Sequence, residues 1–294
     1  MKNKIQLFIM LALVLAFTGA NAQYTGGNGR GDIVADKAAT KLGNNFVTNG
    51  NWSVSNNWSI SALPASDEVV YILANATLDQ DVTINGLVIH TGSSLTIPSG
   101  KTLTVNGALT NNASNGGLVI ESGGSLIHNS NDIAATVKLT ITGSSNLTLN
   151  KYHFVSIPTQ YAAPTSNLFL GSYLYDLDPT QLNENNDFGK WIGLGELTNT
   201  PLFTNKGYMI YYPGASKEYS FTGSLNNGTF NYALSGHSNK GIDIYTFNLI
   251  PNPYPSAIVW NTADASWSAS PGIGGVCYIW NNGNYTKISP ALTN

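Results

Sequence analysis

The sequence has one cysteine, Cys277, among 294 residues. A lone thiol excludes an internal disulfide, so an apolar core and hydrogen-bond ladders must hold the fold together. Flanked by Val276 and Tyr278, Cys277 reads as a small buried hydrophobe of a strand, not a nucleophile. Charge is scarce too. Charged residues make up 10% of the chain, with 13 basic against 16 acidic side chains and a net charge of −3. No basic patch is available to displace counterions from phosphate, which excludes nucleic acid as a partner. The four histidines, at 90, 128, 153 and 237, are scattered, and no H-E-x-x-H, Cys/His cluster or G-x-S-x-G occurs. Neither a zinc centre nor a nucleophile elbow is indicated, and no cofactor is expected. After residue 22 no apolar run is long enough to cross a bilayer.

What is present points outward from the cell. Residues 1–22 combine two lysines, an apolar stretch from Ile5 to Phe17 and the small-residue ending Ala20-Asn21-Ala22. That order is a secretory signal, with cleavage expected before Gln23 and no transmembrane segment left afterwards. Over the whole chain 42% of residues are hydrophobic and 11% aromatic, too apolar a composition for disorder despite the low charge. Asn, Ser, Thr and Gly supply the polarity and suit turns and strand surfaces, as in an exported all-β protein.

The stretch "GSSLTIPSGKTLTVNG" at 92–107 shows how the strands are written. Short triplets opening on Leu, four of the six with Thr at the centre, recur before and after glycine turns: Leu95–Ile97 and Leu103–Val105, Leu118–Ile120 and Leu126–His128, Leu139–Ile141 and Leu147–Leu149. Corners at Asn85-Gly86 and Asn106-Gly107 keep the same phase. A period of about 22 residues calls for a repeat architecture. We read a parallel β-solenoid, right-handed β-helix-like, of about four coils over residues 69–150. An antiparallel meander would explain alternation but not turn columns that stay in phase. The outer residues of each triplet should stack inside and Thr96, Thr104, Thr140 and Thr148 should face water. A third strand per coil is expected near Leu87–Ile89 and around Leu109, and His128 falls on the inward register. Residues 23–68 are read as a linker and solenoid cap, with a short helix at Ile33–Leu42. Residues 151–294 have no such phase; their aromatic-rich strands between Gly, Asn and Pro turns suggest a β-sandwich or roll.

"NWSVSNNWSISALPASDEVVYI", with Asn51-Trp52, Asn57-Trp58, Pro64 and Asp67, resembles the leading segment of β-helical regions in large secreted surface proteins of Bacteroidota-type bacteria. "FNLIPNPYPSAIVWN" resembles a recurring segment of the same proteins; Phe247 stands where Trp is usual and Pro251 where Gly is usual. "YHFVSIP", "LYDLD", "NKGYMIYY", "FTGSLNNG" and "YIWNNGNY" follow in the order those proteins use. The resemblance implies a secreted or cell-surface protein on the extracellular side of the outer membrane, adhesin-like and carried by the type IX route. It also implies a C-terminal sorting domain, which would have to lie past Asn294.

The expected function is a non-catalytic surface module for adhesion or glycan contact, with a polysaccharide or host surface as partner. The alternative is a carbohydrate-active enzyme, a polysaccharide lyase or glycoside hydrolase, or the accessory part of one. Any two of the sixteen acids could meet as a glycosidase pair. The coils, however, offer Thr and Ser where β-helical lyases carry acids and a base. Aromatic rings near polar turns could stack on sugars, and Trp191, Trp267 and Trp280 are the candidates, although strand core accounts for such residues equally well. Asp176, Asp178 and Asp187 lie with Asn183 and Asn185 in a loop whose oxygens calcium would accept, but without EF-hand spacing; a solvated acidic turn explains the same residues. Arg30-Gly31-Asp32 is a chance-level match to an integrin tripeptide. Thr83, Thr96, Thr104, Thr140 and Thr148 fall on two faces, which argues against a single ice-binding array.

Overall fold

In the computed structural model the described residues are 44–145, 151–160, 166–182, 188–194, 201–234, 248–258, 277–281 and 284–288. The signal segment, the expected helix at 33–42 and the Arg-Gly-Asp tripeptide lie outside them. Residues 43–294 form one compact unit. Eleven short strands run through its first part: β1 (Asn45–Phe46), β2 (Gly50–Asn51), β3 (Val69–Ile72), β4 (Ala76–Thr77), β5 (Val82–Ile84), β6 (Gly86–Ile89), β7 (Leu95–Ile97), β8 (Thr102–Val105), β9 (Leu109–Asn111), β10 (Leu118–Ile120) and β11 (Ser125–Ile127). All pair in parallel with the strand one coil away, in the orders β1-β3-β6-β9, β2-β4-β7-β10 and β5-β8-β11. The protein is an all-β solenoid of about four turns, as the repeat requires.

Register makes the interior. Val70, Leu87 and Leu109 form one column, Ala76, Leu95 and Leu118 another, and Leu103 pairs with Leu126 in a third. These residues, with Ile97, Val105 and Ile120, are buried. The alternate threonines point outward, which follows from the two-residue period of a strand. The third strand of each coil is β6 or β9, at the places expected. Gly100 and Gly123 hold φ of +72° and +84°, the left-handed corner that lets the chain turn from β7 into β8 and from β10 into β11.

Two boundaries differ from the sequence reading. The stack begins at Asn45, not Val69: β1 and β2 already pair in parallel with β3 and β4. Their two-residue strands, "NF" and "GN", lack the apolar-Thr-apolar signature. At the other end, Leu139–Ile141 is not a coil face. It belongs to β12 (Ala134–Thr142), whose register with β10 is Val119 to Thr136 and Ile120 to Val137. A nine-residue strand overruns a coil face of three or four. Leu139 and Ile141 therefore pack in a second core, not in the solenoid interior. Leu147 and Leu149 lie outside the described residues.

The second part contains β13 (Tyr152–Val155), β14 (Tyr173–Leu182), β15 (Phe188–Gly193), β16 (Tyr208–Tyr211), β17 (Ser216–Ser224), and the hairpin of β18 (Cys277–Asn281) and β19 (Asn284–Ile288). β17 pairs antiparallel with β12 along its full length, so the solenoid sheet continues into the second core. Tyr219 and Phe221 of β17 pack there with Phe169, Tyr208 and Ile210. Among the described residues no helix is long and apolar enough to cross a membrane.

Both family-like segments close the ends of the stack. At the start, Trp52 and Trp58 fold over β1. Trp58 meets Trp52 and Phe46 edge-on at centroid distances of 4.7 and 5.0 Å, and its indole N–H donates to the Trp52 carbonyl at 2.8 Å. At the far end, the backbone N–H of Leu126 on β11 donates to the Pro255 carbonyl at 2.9 Å. The Asn252-Pro253-Tyr254-Pro255-Ser256 turn is held by the Asn252 side chain, which accepts from the Tyr254 N–H and donates to the Ser256 carbonyl. Buried Asn226 ties it to the second core, donating to the carbonyls of Ile157 and Pro253, each at 2.8 Å. The Ser156 hydroxyl donates to the Asn252 carbonyl. The Tyr254–Pro255 bond is trans; the motif is a hydrogen-bonded clip.

His128 sits beside this junction, inward-facing as its register requires and 8% exposed, with neither ring nitrogen hydrogen-bonded. Burial disfavours the imidazolium and lowers its pKa below the usual 6.5, the nearby Ser130 backbone offsetting part of the effect. The folded state thus binds fewer protons here than the unfolded state. The stability involved is intact above the unfolded pKa and is lost as pH falls through the lower folded value. We expect the melting temperature of the parent to drop, as pH falls below 6.5, by more than that of His128→Leu. Parallel pH profiles for the two proteins would refute this assignment.

Candidate aromatic site

Sheet order β13-β16-β14-β15 and the registers of these strands sort side chains onto two faces. Tyr152, Tyr211 and Tyr173 stand in one row across three strands; Phe154, Met209 and Tyr175 form the next, and Leu177 lies opposite Trp191. All of these share a face. The alternate residues, among them Val155, Tyr208, Ile210 and Leu174, turn the other way into the second core.

The rings on the first face touch. Tyr173 stacks on Tyr211 at 5.7 Å, Tyr152 meets Tyr211 at 5.6 Å and Tyr175 at 6.2 Å, and Phe154 and Trp191 stack at 5.9 Å with planes 17° apart. Tyr211 is buried among its neighbours and anchored by its hydroxyl, which donates to the Ser144 carbonyl at 2.5 Å. Tyr173 is 55% exposed, while Tyr152, Phe154, Tyr175 and Trp191 are half-buried. Desolvation, with Tyr152 and Tyr173 as neighbours, raises the Tyr175 phenol above its usual pKa. None of these side chains is charged at neutral pH. Such a surface can offer ring faces and phenolic hydroxyls but no ionic contact.

Charge lies on the opposite face of the same sheet. Asp176 pairs with Lys206 at 2.6 Å. Asp178 accepts from the Thr180 N–H and hydroxyl and from the Gln181 amide, bonds that hold its carboxyl below the usual pKa. Both expected calcium candidates on β14 thus have protein partners. Asp187, Asn183 and Asn185 lie outside the described residues, and among the described residues no three His, Cys, Asp or Glu side chains cluster for a metal.

Of the tryptophans singled out from sequence, Trp191 lies in the aromatic face. Trp267 lies outside the described residues, and Trp280 is on β18 opposite Tyr285, its side chain not described. Sequence reasoning missed Tyr152, Phe154, Tyr173 and Tyr175. The signal was available in "YHF" and "YLY", where aromatics two apart must share one strand face.

Residues 45–291 match a family described as a domain of unknown function (DUF8693). No curated protein and no solved structure gives a significant match. The matched span opens on the first solenoid strand and runs past the last hairpin, taking in solenoid, clip and aromatic sheet together. The chain belongs to the DUF8693 domain family.

Proposed function

We propose that this chain is a non-catalytic module of the cell exterior, secreted or displayed on the outer membrane, that adheres to glycans through the aromatic face of the β13-β16-β14-β15 sheet. The observation that carries the reading is the segregation on that sheet: rings on one face, Asp176, Asp178 and Lys206 on the other. Sugar rings present C–H faces that aromatic rings accept and hydroxyls that phenols can bond. An uncharged face gains little from long-range attraction, so affinity per site is modest and grows with multivalent display.

A glycan and extracellular-matrix binding screen at low and high salt tests this. Binding should change by less than roughly twofold with salt, and Trp191→Ala should weaken it about tenfold, in the range of an aromatic hot spot. Loss of binding at high salt would refute contact through this face. Turnover of a polysaccharide by the purified chain would favour the enzyme instead.

A further inference from the structure

The loop of residues 128–133 carries the chain from β11 to β12 and closes the far end of the stack. The Ser130 hydroxyl oxygen accepts from the Leu109 N–H of β9 at 2.8 Å, which caps that strand. Beyond it, the Asn131 side chain accepts from the Asn227 amide at 3.1 Å, and the Ile133 carbonyl accepts from the Leu225 N–H at 2.8 Å. The clip covers β11 beside the loop, where the Leu126 N–H meets the Pro255 carbonyl. His128 is the root of both closures. It follows β11 directly, lies two residues from Leu126 on the same inward face, and is buried with both ring nitrogens unbonded. The register of β11 on β8, carried on by one residue, sets it beside buried Val105.

The elements around the ring supply no counter-charge. Strands β8, β9, β10 and β11 contain no charged residue. Asp132 is exposed on the loop itself, and Lys138 of β12 is engaged by Glu121 and Glu218. The clip adds the Tyr254 phenol, which donates to the Gly228 carbonyl. Burial and the Ser130 backbone, not a charged neighbour, set the proton affinity of the imidazole.

We propose that His128 is an acid latch: on gaining a proton it leaves the core and releases loop 128–133 and the clip, opening the far end of the stack. A buried cation without a partner costs far more than the few hydrogen bonds this opening gives up. Because the ring points inward, it reaches water only if the backbone of the loop moves with it. The coils behind keep their own ladders, since each repeat is held mainly by its neighbours and ends open first. Pairing of β12 with β10 and β17 does not pass through the loop, so the two cores stay joined while β9 and β11 lose their caps.

The melting temperature reports whether His128 titrates; amide exchange reports where the chain opens. The full chain is followed by hydrogen exchange and NMR at about pH 7, 6 and 5.5, spanning the histidine range. Rates at Leu109 and Leu126 are divided by the rate at Leu78, which donates to the Thr96 carbonyl deeper in the stack. The ratio removes the chemical effect of pH on exchange. Linkage allows up to about tenfold more opening for each pH unit below the unfolded pKa. We therefore expect both ratios to rise severalfold in the parent and to stay level in His128→Leu. Should the leucine variant not fold, His128→Gln, which also gains no proton in this range, makes the same comparison. Flat ratios in the parent would overturn the proposal, whether nothing opens or the whole stack opens together. An equal rise in the variant, or a response at only one of the two amides, would overturn it as well.

Discussion

Replacing Leu126 with Asp should destabilise the protein by on the order of 5 kcal/mol, because an unpaired carboxylate would be forced into an apolar interior. Leu126 is 1% exposed, lies directly over Leu103, and belongs to the last strand of its sheet. Its neighbourhood has no cation to receive the charge among the core residues packed there. The damage would also reach the clip, since the Leu126 N–H holds the Pro255 carbonyl. Thr104→Asp is the matched control. Thr104 lies on the same sheet, one residue from Leu103 and therefore on the opposite face, and should change stability by no more than about 0.5 kcal/mol. For a chain of this size each kcal/mol shifts the melting temperature by about 2–4 °C, so thermal unfolding separates the two outcomes clearly. Equal destabilisation by both substitutions would show that the register is wrong. Should Leu126→Asp fail to fold, Leu126→Ala, expected to cost about 2–5 kcal/mol, makes the same comparison.

The second large effect is expected at the other end of the stack. Trp58→Ala should cost about 3–5 kcal/mol, the range for deleting a buried aromatic. Trp58 is 2% exposed and fills the space between Trp52 and Phe46. Its removal leaves a cavity and frees the Trp52 carbonyl from its indole partner. In a stack of repeats each coil is stabilised mainly by its neighbours, so damage at an end spreads inward from that end. Hydrogen exchange should therefore accelerate first at β1 and β3 and last at β8 and β11. Ile60→Ala, at a position 63% exposed, should be nearly silent. Uniform acceleration along the whole stack would argue instead for a single cooperative unit without end effects.

The parts of the fold legible from sequence were those where a physical requirement leaves a residue signature. Tight corners need Gly or Asn, and strands with one buried face alternate, so Leu95, Leu103 and Leu118 could be placed before any coordinates. The first coil escaped because "NF" and "GN" are too short to alternate. Leu139-Thr140-Ile141 misled for the opposite reason: a triplet records which residues share a face, not which core that face covers. Only pairing partners distinguish β12, which leaves β10 for β17, from another coil. The aromatic face was partly legible. Trp191 was singled out as a lone ring, but its stacking on Phe154 depends on two strands remote in sequence.

A parallel stack is also a growth surface: its last strand offers backbone groups that another copy could extend, coil upon coil. The clip changes what that surface can do. Pro255 supplies the carbonyl that the Leu126 N–H seeks, while having no N–H of its own to pass the ladder on. The neighbouring Pro253 lacks one as well, and its carbonyl is already taken by Asn226. Propagation along that sheet thus ends in two residues unable to donate, held in place by a buried amide. The same turn that joins the two cores acts as a chain terminator, allowing the solenoid to remain discrete at high concentration instead of polymerising end to end.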